Sequence, residues 1–164
     1  MKKPDIDRNR PLGLYLHIPF CKAKCAYCDF YSLAHSEEKM DAYAAALTRH
    51  ITEVAPQMQN HRVDTVYFGG GTPSLLDPAD AARLMEAASP LPGAEITLEA
   101  NPADDLDETL RAFAAAGGSR LSLGMQSACD EELRTIGRVH TMEQVQQAAE
   151  AARKAKIQNL SLDL

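Results

Sequence analysis

Short apolar runs and amphipathic stretches alternate along the chain, and each change of period predicts an element. Residues 12–18, Leu-Gly-Leu-Tyr-Leu-His-Ile, read as a strand closed by Pro19. A helix is predicted over 37–55, where Met40, Tyr43, Leu47, Ile51 and Val54 recur at spacings of three and four. Ser36 is placed to cap it and Pro56 to stop it. Residues 65–68 form a second strand, ended by Gly69-Gly70-Gly71. Asp77 before Pro78 opens a helix that runs to about residue 88. A third strand spans 95–100 and ends at Asn101-Pro102. The next helix, 106–116, carries Leu106, Leu110 and Phe113 on one face and stops at Gly117-Gly118. A fourth strand over 120–125 and a turn of helix over 131–136 follow. Thr141-Met-Glu-Gln144 is a capping box for a helix to residue 154, and residues 159–164 form a fifth strand.

Strand–helix alternation of this kind implies an α/β fold, with a parallel sheet and right-handed crossovers. Part of a β/α barrel and an open wound sheet both satisfy it. In either architecture chemistry gathers beyond the C-terminal ends of the strands. The unusual residues obey that rule. A cysteine loop follows strand one, and the triple glycine with Thr72-Pro73-Ser74 follows strand two. Glu99-Ala-Asn101-Pro102 closes strand three, Gln126-Ser127 follows strand four, and Asp163 lies near the end of strand five.

Cys21, Cys25 and Cys28 form a C-x3-C-x2-C cluster on the first of these loops. Three thiols so close in sequence can meet at one metal with little cost in chain closure. An odd number in one loop, with no apolar secretion signal upstream, argues against disulfides. Zinc would need a distant fourth ligand, such as His17 or Cys129. A [4Fe–4S] cluster on three cysteines keeps one iron open for a further ligand.

Bulk properties narrow the partners. The formal net charge of −6 gives a nucleic-acid partner no electrostatic support. The sequence contains no apolar run long enough to span a membrane. Residues 1–11 read as a flexible polar tail and 12–164 as one domain; the expected location is the cytoplasm, where thiols stay reduced.

The remaining candidates each have an ordinary alternative. Gly70 and Gly71 either allow a ligand close to the backbone or simply make a tight turn; no Gly-Lys-Ser/Thr follows, so this is not a P-loop. Glu99, at the end of an apolar strand, needs partners, and a salt bridge to a neighbouring strand would supply them. Arg138 pairs with a ligand carboxylate or lies solvated at a helix end. Asp163 is a hydroxyl acceptor or a frayed terminal residue. Tyr27 stacks on a flat ligand or belongs to the core, His17 reads as a core histidine, and Cys129 as a bystander thiol.

These residues together resemble the radical S-adenosylmethionine superfamily. Tyr15-Leu-His-Ile-Pro-Phe-Cys21, Phe68-Gly-Gly-Gly-Thr-Pro-Ser74, Glu99-Ala-Asn-Pro102, Arg120-Leu-Ser-Leu-Gly-Met-Gln-Ser127 and Gly137-Arg-Val-His140 look like one branch of it. That branch contains oxygen-independent coproporphyrinogen III oxidase and related heme chaperones. The resemblance implies a partial parallel (β/α) barrel. Cys21, Cys25 and Cys28 would hold a [4Fe–4S] cluster whose open iron is chelated by S-adenosylmethionine. Gly70, Gly71 and Thr72 would contact its methionyl end, and Glu99, Gln126, Arg138 and Asp163 would line the rest of the site, with Tyr15 near the sulfonium; Tyr27 is a further candidate for cofactor binding.

In the oxidase, reductive cleavage of the cofactor gives a radical that starts decarboxylation of a porphyrinogen propionate to vinyl. The oxidase resembles Cys-x-Cys at the end of the cysteine loop, whereas this chain reads Cys28-Asp29-Phe30. That departure favours a heme chaperone that binds heme or porphyrin and delivers heme to a hemoprotein acceptor, served by an electron donor of unspecified identity. Coproporphyrinogen oxidation is the alternative, and a zinc module or an inactive fragment the second alternative. The family continues past the Asp-Leu strand with a sixth strand and a C-terminal region where heme contacts are expected. The expectation for residues 12–164 is therefore an incomplete core domain.

Overall fold

The computed structural model describes residues 10–164. The elements are β1 (Arg10–Ile18), β2 (Phe20–Cys21), β3 (Leu33–Ala34), α1 (Met40–Val54), β4 (His61–Gly70), α2 (Pro78–Ala88) and β5 (Glu95–Ala100). There follow α3 (Asp107–Ala115), β6 (Arg120–Gly124), α4 (Asp130–Thr135), α5 (Met142–Lys154) and β7 (Asn159–Asp163). One all-parallel sheet has the order β1-β4-β5-β6-β7, and β2 and β3 make a separate parallel pair. Strand order therefore follows chain order without reversal. A doubly wound sheet needs a point where the order reverses. The five strands are consecutive staves of a partial barrel, as the resemblance implied.

Alternation along the strands separates two faces. Leu16, Ile18, Val66, Phe68, Ile96, Leu98, Leu121 and Leu123 form one buried layer with Met40, Ile51, Leu84, Met85, Leu110, Phe113, Ala148 and Ala152 of the helices. Burying each large side chain of that layer contributes about 1.5–3 kcal/mol. The opposite face carries Tyr15, His17, Tyr67, Glu99, Ser122 and Asp163. His17 is thus not part of the core. It is half-buried on the polar face, with Nε2 3.0 Å from the Tyr31 carbonyl and Nδ1 3.4 Å from the Tyr15 hydroxyl.

Local signals were mostly sound. Asp77 accepts from the Ala79 amide at 2.8 Å, and both halves of the Thr141/Gln144 capping box are formed. Gly117, at φ +105°, ends α3 in a Schellman turn: the Gly118 amide donates to Phe113 and the Gly117 amide to Ala114. Ser36 does not cap α1. A 3-10 turn over Glu37–Lys39 comes first, and the Ser36 hydroxyl donates to Ala34 instead. The glycines do not end their strand either, because β4 continues through Gly69 and Gly70. No helix among the described residues is long and apolar enough to cross a membrane.

Candidate metal centre

The end of β1 fixes the first cysteine. Phe20, 1% exposed, is driven into the core and meets Tyr43 edge-on at 5.3 Å. β2 then pairs with β3, placing Phe20 beside Leu33 and Cys21 beside Ala34. The amides of Gly71 and Thr72 donate to Ile18 and Phe20 at 2.8 and 2.7 Å, so the glycine turn is stitched to the backbone just before Cys21. A Cβ on Gly71 would lie 2.5 Å from the Phe20 carbonyl oxygen, so this close approach requires glycine. The Cys28 amide donates to the Cys25 carbonyl at 3.1 Å, bringing the other two cysteines into one turn.

All three thiols are free and line one cavity of about 340 Å³. Among the described residues no three His, Cys, Asp or Glu side chains already stand in metal-ligating geometry; the thiols share a cavity rather than a point. Two donors face sulfur there: Thr72 Oγ1 lies 3.6 Å from the Cys21 sulfur and an Arg138 amino group 3.5 Å from that of Cys25. These features fit a cluster on three cysteines. Neither His17 nor Cys129 lines the cavity, so the two fourth ligands considered for zinc do not reach it.

Gly70, Gly71, Thr72, Glu99, Gln126, Arg138, Asp163 and Tyr27 line the same cavity. Glu99 makes no ion pair among the described residues. It accepts from the Tyr67 hydroxyl at 2.8 Å and the Gly70 amide at 2.9 Å, which replaces the expected salt bridge. Burial, and then the Glu99 carboxylate, push the Tyr67 phenol up to about 12. Tyr15 stacks on Tyr67 at 5.9 Å but stands outside the cavity lining, its phenol raised by burial and then by Glu99.

Arg138 is half-buried and bonded to neighbouring segments rather than lying free at a helix end. Its guanidinium donates to the Gly124 carbonyl at 2.7 Å, to Asn101 at 3.4 Å and to the His140 ring at 3.3 Å, as well as to Cys25. Asp163 pairs in register with Gly124 and accepts from the buried Ser122 hydroxyl at 3.2 Å, so it belongs to the strand pairing rather than to a frayed end. Gln126 takes a left-handed backbone at φ 68°, and its amide donates to the Asp163 carbonyl at 2.7 Å. Tyr27 is 49% exposed at the rim, not core; burial raises its phenol while Arg138 opposes the shift. Cys129 is exposed and apart, as expected of a bystander.

Sequence reasoning missed Tyr67 and Ser122. The available signal was a polar residue at every second position of strands that are otherwise apolar, which marks a sheet face committed to something other than core.

A family model described as the Radical SAM superfamily matches residues 15–164. Among curated proteins the chain is 39% identical over 159 residues to "Heme chaperone HemW" of Escherichia coli (strain K12), covering 94% of this chain and 42% of that one. It is 36% identical over 159 residues to the protein of that name from Lactococcus lactis subsp. lactis (strain IL1403), covering 94% and 41%. Among solved structures, coproporphyrinogen III oxidase (HemN) from Escherichia coli, described as a radical SAM enzyme, matches with a TM-score of 0.87 at 32% identity, covering 96% of this chain and 37% of that one. The chain spans about two fifths of the length of these curated relatives. The match over residues 15–164, reached on top of a parallel sheet with three cysteines beyond its first strand, means that this chain belongs to the radical SAM superfamily, whose members imply a [4Fe–4S] cluster and S-adenosylmethionine.

Proposed function

We propose that the chain holds a [4Fe–4S] cluster on Cys21, Cys25 and Cys28, binds S-adenosylmethionine beside it, and acts as a heme chaperone-like protein that binds heme and delivers it to hemoproteins. The observation that carries this reading is the shared cavity: three free thiols and the ends of β4, β5, β6 and β7 face one space. Cys21, Cys25 and Cys28 would hold the cluster, which when bound would supply an electron for reductive cleavage of the sulfonium. Thr72 and Arg138 direct donors at two of the ligating sulfurs. Gly70 and Gly71 keep side chains out of the methionyl region. Glu99, held by Tyr67 and Gly70, would line the cofactor site with a fixed carboxylate. Asp163 and Gln126 offer an acceptor and an amide to its hydroxyls. Four free thiols suit a reducing compartment such as the cytoplasm.

The heme reading is supported by the two HemW relatives and by Phe30, which lines the cavity 69% exposed and presents no thiol. Coproporphyrinogen oxidation is the second reading, favoured by the TM-score of 0.87 with HemN. Anaerobic reconstitution should give about four irons with matching sulfide per chain. Adding S-adenosylmethionine should then change the electron paramagnetic resonance spectrum of the reduced protein. Zinc without sulfide, or an unchanged spectrum, would refute the cluster-and-cofactor assignment. Stoichiometric heme binding without coproporphyrinogen turnover supports the chaperone reading, and turnover supports the oxidase.

A further inference from the structure

His140 is the most buried ionisable ring of the site region, 3% exposed. Its two nitrogens face partners that allow one tautomer. Nε2 lies 2.9 Å from the Met125 carbonyl oxygen, which can only accept, so Nε2 carries the proton. Nδ1 lies 3.3 Å from Arg138 Nε, which can only donate, so Nδ1 presents its lone pair. Burial lowers the His140 pKa; the Met125 bond and Asp130 work against that and the guanidinium with it, and the net lowering is in keeping with a neutral ring. The other guanidinium nitrogens are committed as well. One bonds Gly124 and Asn101, and the other faces the Cys25 sulfur at 3.5 Å. Gly124 leaves room for this arrangement, because a Cβ there would lie 3.2 Å from the guanidinium.

We propose that His140 is a positioning residue for the cluster: by accepting from Arg138 Nε it turns the guanidinium so that its free amino edge meets the sulfur of Cys25, and so sets the cluster's reduction potential. Potentials of such clusters depend on hydrogen bonds to sulfur and on nearby charge. A donor and a positive charge at a ligating sulfur stabilise the more negative reduced state and raise the potential. Without the Nδ1 acceptor the planar guanidinium keeps Gly124 and Asn101 but loses the contact that fixes its rotation. The inference rests on the cluster assignment above, although the tautomer does not.

Two measurements separate the two. In the cluster-free protein, long-range proton–nitrogen NMR of the His140 ring should show the neutral Nε2–H tautomer at neutral pH. The Nδ1–H tautomer or an imidazolium would overturn the inference whatever the fate of the cluster reading. In reconstituted protein, His140→Phe should shift the midpoint potential downward at unchanged iron and sulfide content. His140→Asn, which restores an acceptor near the Nδ1 position, should recover part of the shift. In an Arg138→Lys background, His140→Phe should add little. An unchanged potential in His140→Phe, or shifts that simply add, would overturn it. If the phenylalanine variant does not fold, the tautomer and the asparagine variant decide. A wild-type chain that never assembles a cluster refutes the functional reading instead.

Discussion

Gly71→Ala tests whether the glycine turn and the first cysteine are one mechanical unit. The added Cβ would stand 2.5 Å from the Phe20 carbonyl oxygen and 2.9 Å from its carbonyl carbon and amide nitrogen. All three are backbone atoms, so no rotamer change relieves the clash and β2 itself must move. Phe20 resists, because its ring is 1% exposed in the core. Overpacking of this kind costs about 1–3 kcal/mol. Displacing β2 also strains the bonds from Gly71 to Ile18 and from Thr72 to Phe20, each worth about 1 kcal/mol. The sum is about 3–5 kcal/mol, and at roughly 2–4 °C per kcal/mol for a chain of this size Tm should fall by about 6–20 °C. Because Cys21 follows Phe20 directly, iron content after reconstitution should fall too. Gly93→Ala is the control. Its Cβ would meet nothing within 4 Å, and its φ of +84° costs only about 1–2 kcal/mol of backbone strain, with full iron retained. Circular dichroism melts and iron analysis read both variants. A Gly71→Ala protein with wild-type Tm and iron would refute the reasoning.

Cys25→Ser should abolish cluster assembly, whereas Cys129→Ser, outside the cavity, should retain full iron and sulfide; equal loss in both would remove the ligand assignment. Tyr67 binds its proton more tightly folded than unfolded, where the phenol titrates at about 10. Its contribution to stability is therefore complete below about pH 10 and is lost as pH rises toward about 12. Urea unfolding across that range should show a shallower fall for Tyr67→Phe than for wild type, and identical slopes would contradict the assigned shift. Asp104 accepts from Lys22 at 2.7 Å and from the buried Ser74 hydroxyl at 3.1 Å. Lys22 is mostly exposed, so the ion pair contributes less than about 1 kcal/mol. The unpaired hydroxyl left by Asp104→Ala costs about 1–3 kcal/mol. Denaturant midpoints should thus fall further for Asp104→Ala than for Asp104→Asn, which keeps an acceptor; equal falls would show that the charge dominates.

The sequence made the cysteine loop, the alternation of elements and the gathering of polar residues at one sheet edge legible, because each depends on spacing within a short window. What escaped it depends on contacts between distant segments. Arg138 follows α4 like any solvated arginine, and only the approach of Gly124, Asn101 and Cys25 shows it to be enclosed. The carboxylate of Glu99 needs partners that its own stretch of sequence does not name, and the fold answers it with a phenol and a backbone amide from β4. Ser36 has the right chemistry for a cap, but the 3-10 turn over Glu37–Lys39 separates it from α1.

The small β2–β3 pair has a consequence for the protein's life without iron. It ties the two ends of the cysteine loop to each other, with the Leu33 amide on the Pro19 carbonyl and the His35 amide on the Cys21 carbonyl. The Phe20 anchor ties that pair to the core. Only the short segment between the knots has to rearrange when metal arrives or leaves, so the ordering entropy of loading is confined to it. The barrel staves are thereby insulated from the redox fate of the loop: oxidative loss of the cluster would slacken a tether while the sheet beneath it stays folded and ready to be reloaded.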